Sequence, residues 1–403
     1  ESAQEEAVQA PTEPVTLTMY YNGYSESLVA DQLEALKEAY PHITLDIISG
    51  TPIEEVITSR TPLDMTAYSM GGIFTVMDLH LASDLTELVA KHDFDLNRLS
   101  PGVLESAKSY SPEGQLLIMP YELNNSVLTY NLDIFDRFGV DYPIDGMNWD
   151  DVYDLAAQTT RFEDGVQYYG FSYSGLNPVY KNQMGLQFID PETNQAMIDS
   201  DEWAHWMRVM TRFQDIEGNE DLGYAGRIEA FFQTKTLAMR TGPSPLDQLP
   251  AAVESGLRWD AVTFPKFPGY EELGSQMNSP FYTIVPTSSH KDEAFQVIAF
   301  LLSDQIQGMN ARKGRVPVVS SPQVVAEFGK DLPFLEGTNY ANAVFQEKIA
   351  PPAPVSPYDD YARRQLSWAM TLVNVEGMDI NTALRQVKED ADSQIEAAIK
   401  DGK

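Results

Sequence analysis

The side chains with which this chain could do covalent, metal or acid–base chemistry are 60 acids and five histidines, and there is no cysteine among its 403 residues. Lack of cysteine rules out disulfides, thiol nucleophiles and sulfur-ligated zinc. His42, His80, His92, His205 and His290 show neither the HxxxH nor the HxH spacing that would bring two imidazoles to one ion. No metal and no cofactor is expected. GxSxG, P-loop and GxGxxG patterns are absent too. The adjacent acids Asp150 with Asp151, Glu271 with Glu272, and Asp359 with Asp360 could each lend one carboxylate to a glycosidase pair. With so many acids, adjacency is the ordinary expectation, and the chain is not expected to be an enzyme.

Aromatic and amide side chains carry a different chemistry. Tyr21, Tyr24, Tyr68, Tyr121, Tyr173 and Tyr180 fall in polar stretches, as do Asn22, Asn124, Asn125 and Asn177. A tyrosine pairs a flat apolar face with a hydroxyl, so it can stack on an apolar ring face and bond a neighbouring OH. An asparagine amide offers donor and acceptor together. Both suit a hydroxyl-rich small molecule. The competing account of any one of these tyrosines is a half-buried loop anchor.

The stretch that would bring such groups together is Gly114 to Asn131. Two apolar runs, Leu116 to Met119 and Val127 to Tyr130, are separated by Pro120, which cannot donate to a sheet ladder, and by the polar residues Glu122 to Ser126. The backbone must leave one sheet and enter another element, as at a crossing between two lobes. Tyr121, Glu122, Asn124 and Asn125 would then face a cleft, where ligand sites preferentially lie. A polar loop between two strands is the plainer alternative.

Length supports two lobes, since 403 residues exceed what one core usually holds. A net charge of −33 repels nucleic acid and anionic lipid, so neither is an expected partner. No apolar run approaches the ~18 residues of a spanning helix. Residues 1–14, acidic and without an apolar period, read as a flexible tether and lack the pattern of a signal peptide.

Beyond the tether, Val15 to Tyr20 alternates as a strand, and Ser25 caps a helix with Val29, Leu33, Leu36 and Tyr40 on one face. Strands at Ile43 to Ile48 and Leu63 to Ala67 follow, which predicts a mainly parallel sheet with ligand loops at Tyr20 to Tyr24, Ser49 to Thr51 and Tyr68 to Gly72. Asn148 and Asp151 form a capping box, and Trp203, Trp206, Met207, Met210 and Phe213 make a core stripe. Ser289 is expected to cap a helix with Asp292 three residues on. Trp368, Leu372 and Val375 should share one helix face, and Leu384, Val387, Ala391, Ile395 and Ile399 form another seam after Asp379.

Taken in order, these stretches resemble an ABC-transporter extracellular solute-binding protein of the family that includes maltose-binding proteins. VTLTMYYNGYSES, TPLDMTAYSMG, LASDLTEL, GQLLIMPYELNNSVLTYNLDIF, NWDDVYDLAAQTT, FFQTKTLAMRTGP, HKDEAFQVIAFLLSD and TALRQVKED carry the likeness. The resemblance implies a two-lobed periplasmic-binding-protein-like fold (type II), with α/β lobes joined by three crossings and a ligand cleft between them. The expected N-terminal lobe is 15–123 with 282–328, and the C-terminal lobe is 124–281 with 329–403. Hinges are expected near Asn124, Asn278 to Phe281, and Phe328 to Pro333. A monomer is expected to bind a mono- or oligosaccharide and deliver it to the transmembrane subunits of an ABC permease, as a lipid-anchored or periplasmic protein. The alternatives are a receptor for an amino acid or another polar small molecule, and, from another class, a glycoside hydrolase. Carried over by position, the ligand-lining residues are Tyr21, Asn22, Tyr24, Tyr68, Ser69, Asn124, Asn177 and Ser244. Thr234 and Ser244 depart from the family pattern, and Tyr173 or Tyr180 would replace the aromatic missing at Ser244. Glu122 and Asn125 complete the expected site.

Overall fold

The structure, a computed structural model, describes residues 13–23, 26–111, 113–173, 177–242 and 245–401. Most of the expected tether, Tyr24, the Ser25 cap and Ser244 lie outside the described residues.

The chain opens with Val15–Tyr21 (β1), Ile43–Ile48 (β2) and Met65–Tyr68 (β3). In β1, Leu17 and Met19 are buried while Thr16 and Thr18 are not, the alternation its sequence requires. Met119–Pro120 (β4) leads through Glu122–Leu123 (β5) to Val127–Asn131 (β6). A hairpin follows, Arg161–Glu163 (β7) with Val166–Tyr173 (β8), then Leu237–Gly242 (β9) and Trp259–Thr263 (β10). Phe281–Ile284 (β11) and Val316–Pro317 (β12) complete the strands.

Two five-stranded sheets result, ordered β2-β1-β3-β11-β4 and β10-β6-β9-β8-β7, with β12 and β5 paired between them. These sheets are mixed, where mainly parallel ones were expected. Parallel ladders join β1 to β2, β1 to β3 and β8 to β9, while β11 and β6 run antiparallel to both their neighbours. Registers explain why. Phe281 at the start of β11 pairs with Tyr68 at the end of β3, and Val127 at the start of β6 pairs with Gly242 at the end of β9. Each of these strands enters its sheet directly from a crossing, at the end where the helix-fed strands finish. Since β11 lies wholly in the first sheet, the boundary expected after Phe281 falls one residue inside that strand. Pro120 stands at the sheet edge, where its missing N–H costs no ladder bond.

The second sheet buries both faces. Val127, Leu237, Trp259 and Ala261 share a core with the first lobe, whereas Leu128, Tyr130, Met239 and Val262 face a second core. Helix Asp201–Thr211 fills that second core with Trp203, Trp206, Met207 and Met210, and Phe213 just beyond it is buried as well. The Asn148 side chain accepts from the backbone N–H groups of Asp150 and Asp151, and Asp151 accepts from Asn148 in return, closing the box its sequence predicts.

Two helix details differ from expectation. His290, not Ser289, precedes helix Lys291–Leu301, and no side chain caps it; Asp292 binds Lys91 and His92 instead. On helix Asp359–Asn374 and its cap, Leu372 is buried but Trp368 and the capping Val375 are 47% and 69% exposed, and the buried stripe runs through Ala362, Leu366, Ala369 and Met370. Alanines let this helix approach Asp201–Thr211 and Ile380–Lys400 closely, and a tryptophan on that face would hold them apart. On Ile380–Lys400 the seam from Leu384 to Ile395 is buried, and Ile399 is exposed.

Candidate functional site

Between the lobes lies a cavity whose lining comes from loops at the carboxyl ends of strands and from the crossings. Met70 sits in the turn Met70–Gly72 that follows β3, and Ser106 and Tyr110 lie on or just after helix Val103–Lys108. From the second lobe come Tyr180, on the short helix Asn177–Lys181 after β8, and Asp359 and Arg363. The last two stand one turn apart on one helix face. Residues 276–278 and 352–355 close the cavity on the crossing side.

Arg363 spans the gap. Its guanidinium carbon lies 5.4 Å from the ring centre of Phe74 in the first lobe, and 5.0 Å and 6.0 Å from those of Phe188 and Tyr180 in the second. Phe74 in turn meets Tyr110 edge-on at 6.4 Å. Such contacts hold a cation by the ring quadrupoles and leave its N–H groups free for hydrogen bonds. Nε of Arg363, Oδ1 of Asp359 and Oγ of Ser106 are buried without a hydrogen-bond partner. Buried polar atoms are almost always bonded, so three on one cavity without a protein partner are open to a ligand or to water.

Asp359 is 1% exposed, and burial pushes its carboxyl up to about 7 against the opposing pull of the Arg363 charge and the backbone at Ser356. Its neighbour Asp360 raises it slightly further and is itself paired with Arg364 at 2.6 Å. Burial also raises the Tyr110 hydroxyl, and Arg363 partly offsets this. The cavity is narrow, with a free volume of ≈30 Å³, about enough for one or two waters.

Of the residues the sequence singles out, Tyr180 lines this cavity. Tyr21 and Tyr121 meet hydroxyl to hydroxyl at 3.2 Å, and the Tyr121 ring stacks on Tyr282 at 4.2 Å. Glu122, next in the chain, faces Arg315 at 3.5 Å, and burial lifts its carboxyl while Arg315 lowers it. Asn22 and Ser69 are exposed just beyond the ends of β1 and β3. Tyr68 is placed elsewhere: it is 4% exposed, stacked on Tyr20 at 5.5 Å and packed against Gly72, so it presents no free face. The Asn125 amide donates to the Val344 carbonyl at 2.9 Å, and the Tyr173 hydroxyl accepts from Asn374 at 2.8 Å. Both serve the fold. Asn124 is exposed and bonds through its backbone. The Asn177 side chain, like Tyr24 and Ser244, lies outside the described residues.

Sequence reasoning missed Ser106, Tyr110 and Arg363, and named Asp359 only as half of an acidic pair. The readable signal was the i, i+4 spacing of Asp359 and Arg363, an acid and a base on one helix face. Among the described residues no group of three or more His, Asp or Glu could hold a metal ion, and no helix is long and apolar enough to cross a membrane.

Two α/β lobes joined by crossings around a polar, aromatic-lined cleft define a class of proteins that close on a small ligand. The chain belongs to the bacterial extracellular solute-binding protein family, whose model matches residues 23–308. Solved structures share the fold over nearly the whole chain. A sugar transporter from Rhizobium etli in an open conformation has a TM-score of 0.75 at 18% identity, covering 94% of this chain and 99% of its own. The ABC substrate-binding protein of Listeria monocytogenes in complex with cycloalternan gives 0.74 at 17% identity, with 95% and 99% covered. The sugar-binding protein MalE of Xanthomonas citri gives 0.75 at 15% identity, with 95% and 98% covered. At such identities the likeness concerns the fold. Comparison with curated proteins returned no match.

Proposed function

We propose that this protein is the substrate-binding component of an ABC importer, that it takes a mono- or oligosaccharide between its lobes, and that it hands the sugar uncut to a membrane permease. The observation that carries this is the set of buried, partnerless Ser106 Oγ, Asp359 Oδ1 and Arg363 Nε beside the rings of Tyr110, Tyr180 and Phe188. A sugar offers what each lacks: hydroxyl donors for the carboxylate, oxygen acceptors for the guanidinium, and C–H faces for the rings. The sugar ligands and sugar roles named for the solved relatives support the same assignment. Tyr21, Asn22 and Ser69 border the cleft from the first lobe. The protein acts as a monomer outside the cytoplasmic membrane, lipid-anchored or periplasmic, and meets the permease transmembrane subunits there. Against hydrolysis stands the engagement of Asp360 by Arg364, which leaves Asp359 without a second free carboxylate beside it.

One observation favours a second assignment. A buried acid and a half-buried base, each with a buried atom lacking a protein partner, would also suit the ammonium and carboxylate of an amino acid.

A thermal-shift panel of mono- and oligosaccharides beside the common amino acids separates the two. A ligand bound only by the folded state at a hundred times its Kd stabilises by about 2.7 kcal/mol, so a sugar is expected to raise Tm by a few degrees. A shift with amino acids alone would select the second assignment, and no shift with any compound would overturn both.

A further inference from the structure

Behind the cleft, four chain segments converge on one buried ion pair. Lys181 Nζ donates to both carboxylate oxygens of Glu347, at 2.9 and 3.1 Å, and to the Asn124 carbonyl at 2.9 Å in the first crossing. Glu347 also accepts from the Ser126 backbone N–H at 2.6 Å in that crossing and from the Ser275 hydroxyl at 2.6 Å in the segment between β10 and β11. The two side chains are 3% and 4% exposed. Backbone bonds tie the same places: Gln276 N–H to the Lys181 carbonyl, Ser275 N–H to the Lys348 carbonyl and Ala350 N–H to the Ser275 carbonyl. A methyl group at Gly274 would collide with that Lys348 carbonyl, so the segments lie as close as backbones can.

Such a pair is a poor device for stability, because removing two charges from water offsets their attraction, and apolar residues of equal volume often serve as well. What it adds is a demand on geometry, since all of its bonds are made in one arrangement of the four segments only. Those segments are the ones that matter to the cleft. Lys181 follows Tyr180 on the helix Asn177–Lys181, and Glu347 opens the run that passes 352–355 into Asp359 and Arg363. We propose that Lys181 and Glu347 are positioning residues, a pivot clamp that fixes the segments bearing Tyr180 and Asp359 against the first and second crossings, so that the lobes rotate about a sharp axis. The importance of Tyr180 and Asp359 to ligand rests on the proposed function; the clamp itself does not.

The test therefore uses no ligand. With no cysteine in the chain, Glu34→Cys and Asp390→Cys, both at exposed helix positions on different lobes, take spin labels cleanly. Lys181→Met/Glu347→Leu, an apolar pair, is expected to hold Tm near that of the parent and yet broaden the lobe-to-lobe distance distribution measured by pulsed dipolar spectroscopy. An unchanged width at unchanged Tm would overturn the proposal, because a merely structural pair predicts that outcome. Should the double variant not fold, Glu347→Gln keeps the shape and removes one charge. Its distribution must also broaden, and a parental width in that variant would overturn the proposal equally. A failed sugar panel leaves either result standing.

Discussion

Arg363→Ala is expected to raise the dissociation constant for the bound sugar by more than about a hundredfold, with a change in Tm too small to explain it. The half-buried guanidinium already lies among rings from both lobes and keeps a buried Nε without a protein partner, so part of its desolvation is complete before ligand arrives. Hydrogen bonds to charged groups contribute about 1.5–3 kcal/mol each, and two such bonds to a pair of hydroxyls exceed the ~2.7 kcal/mol of a hundredfold change. Truncation also removes the bridge to Phe74, which holds the lobes near each other. Arg363→Lys should not restore binding, since an ammonium lacks the planar fork and stacks poorly. Calorimetric titration decides, and parental affinity in the alanine variant would take Arg363 out of the site.

Asp359→Asn is expected to make the protein more stable and a weaker binder at once. Its folded carboxyl titrates at about 7 against an ordinary 3.8. Below pH ~4 the group is neutral in the folded and unfolded chain alike, and it contributes nothing to a pH slope. Between about 4 and 7 the folded state holds a proton that the unfolded state has released, so stability falls as pH rises across that window, and above it the full cost persists. At ~1.4 kcal/mol per unit this amounts to several kcal/mol. The amide is neutral throughout, and Tm at pH 8 should rise while the slope flattens. Binding runs the other way. Sugar hydroxyls donate best to the ionised carboxylate, so parental affinity should climb as pH passes through 7, and the amide variant should lose about ten- to a hundredfold at pH 8. Arg363, Asp360 and Tyr110 also border the carboxyl, which is why the slope must be read as the difference between parent and variant. A variant less stable at pH 8, with the parental slope, would show that Asp359 is a structural acid. Holding such a group at a cost in stability is the usual mark of a site kept for function.

Local signals in the sequence carried much of the fold. The alternation of β1, the box at Asn148 and Asp151 and the stripe from Trp203 to Phe213 are each set by neighbours within one element, and all three stand in the structure. Strand direction was not legible, because a period of two is the same read either way, and β6 and β11 take theirs from the crossings that feed them. Helical spacing put Trp368 on one face with Leu372, yet of the two only Leu372 is buried, because the close helix contact there needs alanine. For the site, residue type pointed to tyrosines without saying which way they face: Tyr180 reaches the cavity, and Tyr68, of the same type but the last residue of its strand, packs inward on Tyr20. Arg363 joins Phe74 and Tyr110 from more than half the chain away. No spacing rule reports such a meeting, and only the folded lobes create it.

Closure on a sugar is the central claim, and solution scattering tests it most directly. With room for only one or two waters between Tyr110, Tyr180 and Arg363, a sugar ring can enter only if the lobes part and then close again. The predicted result is a larger radius of gyration for the free protein and, with saturating amounts of the sugar that gives the largest thermal shift, contraction as the lobes close. An unchanged scattering curve in the presence of a sugar shown by calorimetry to be bound would contradict it.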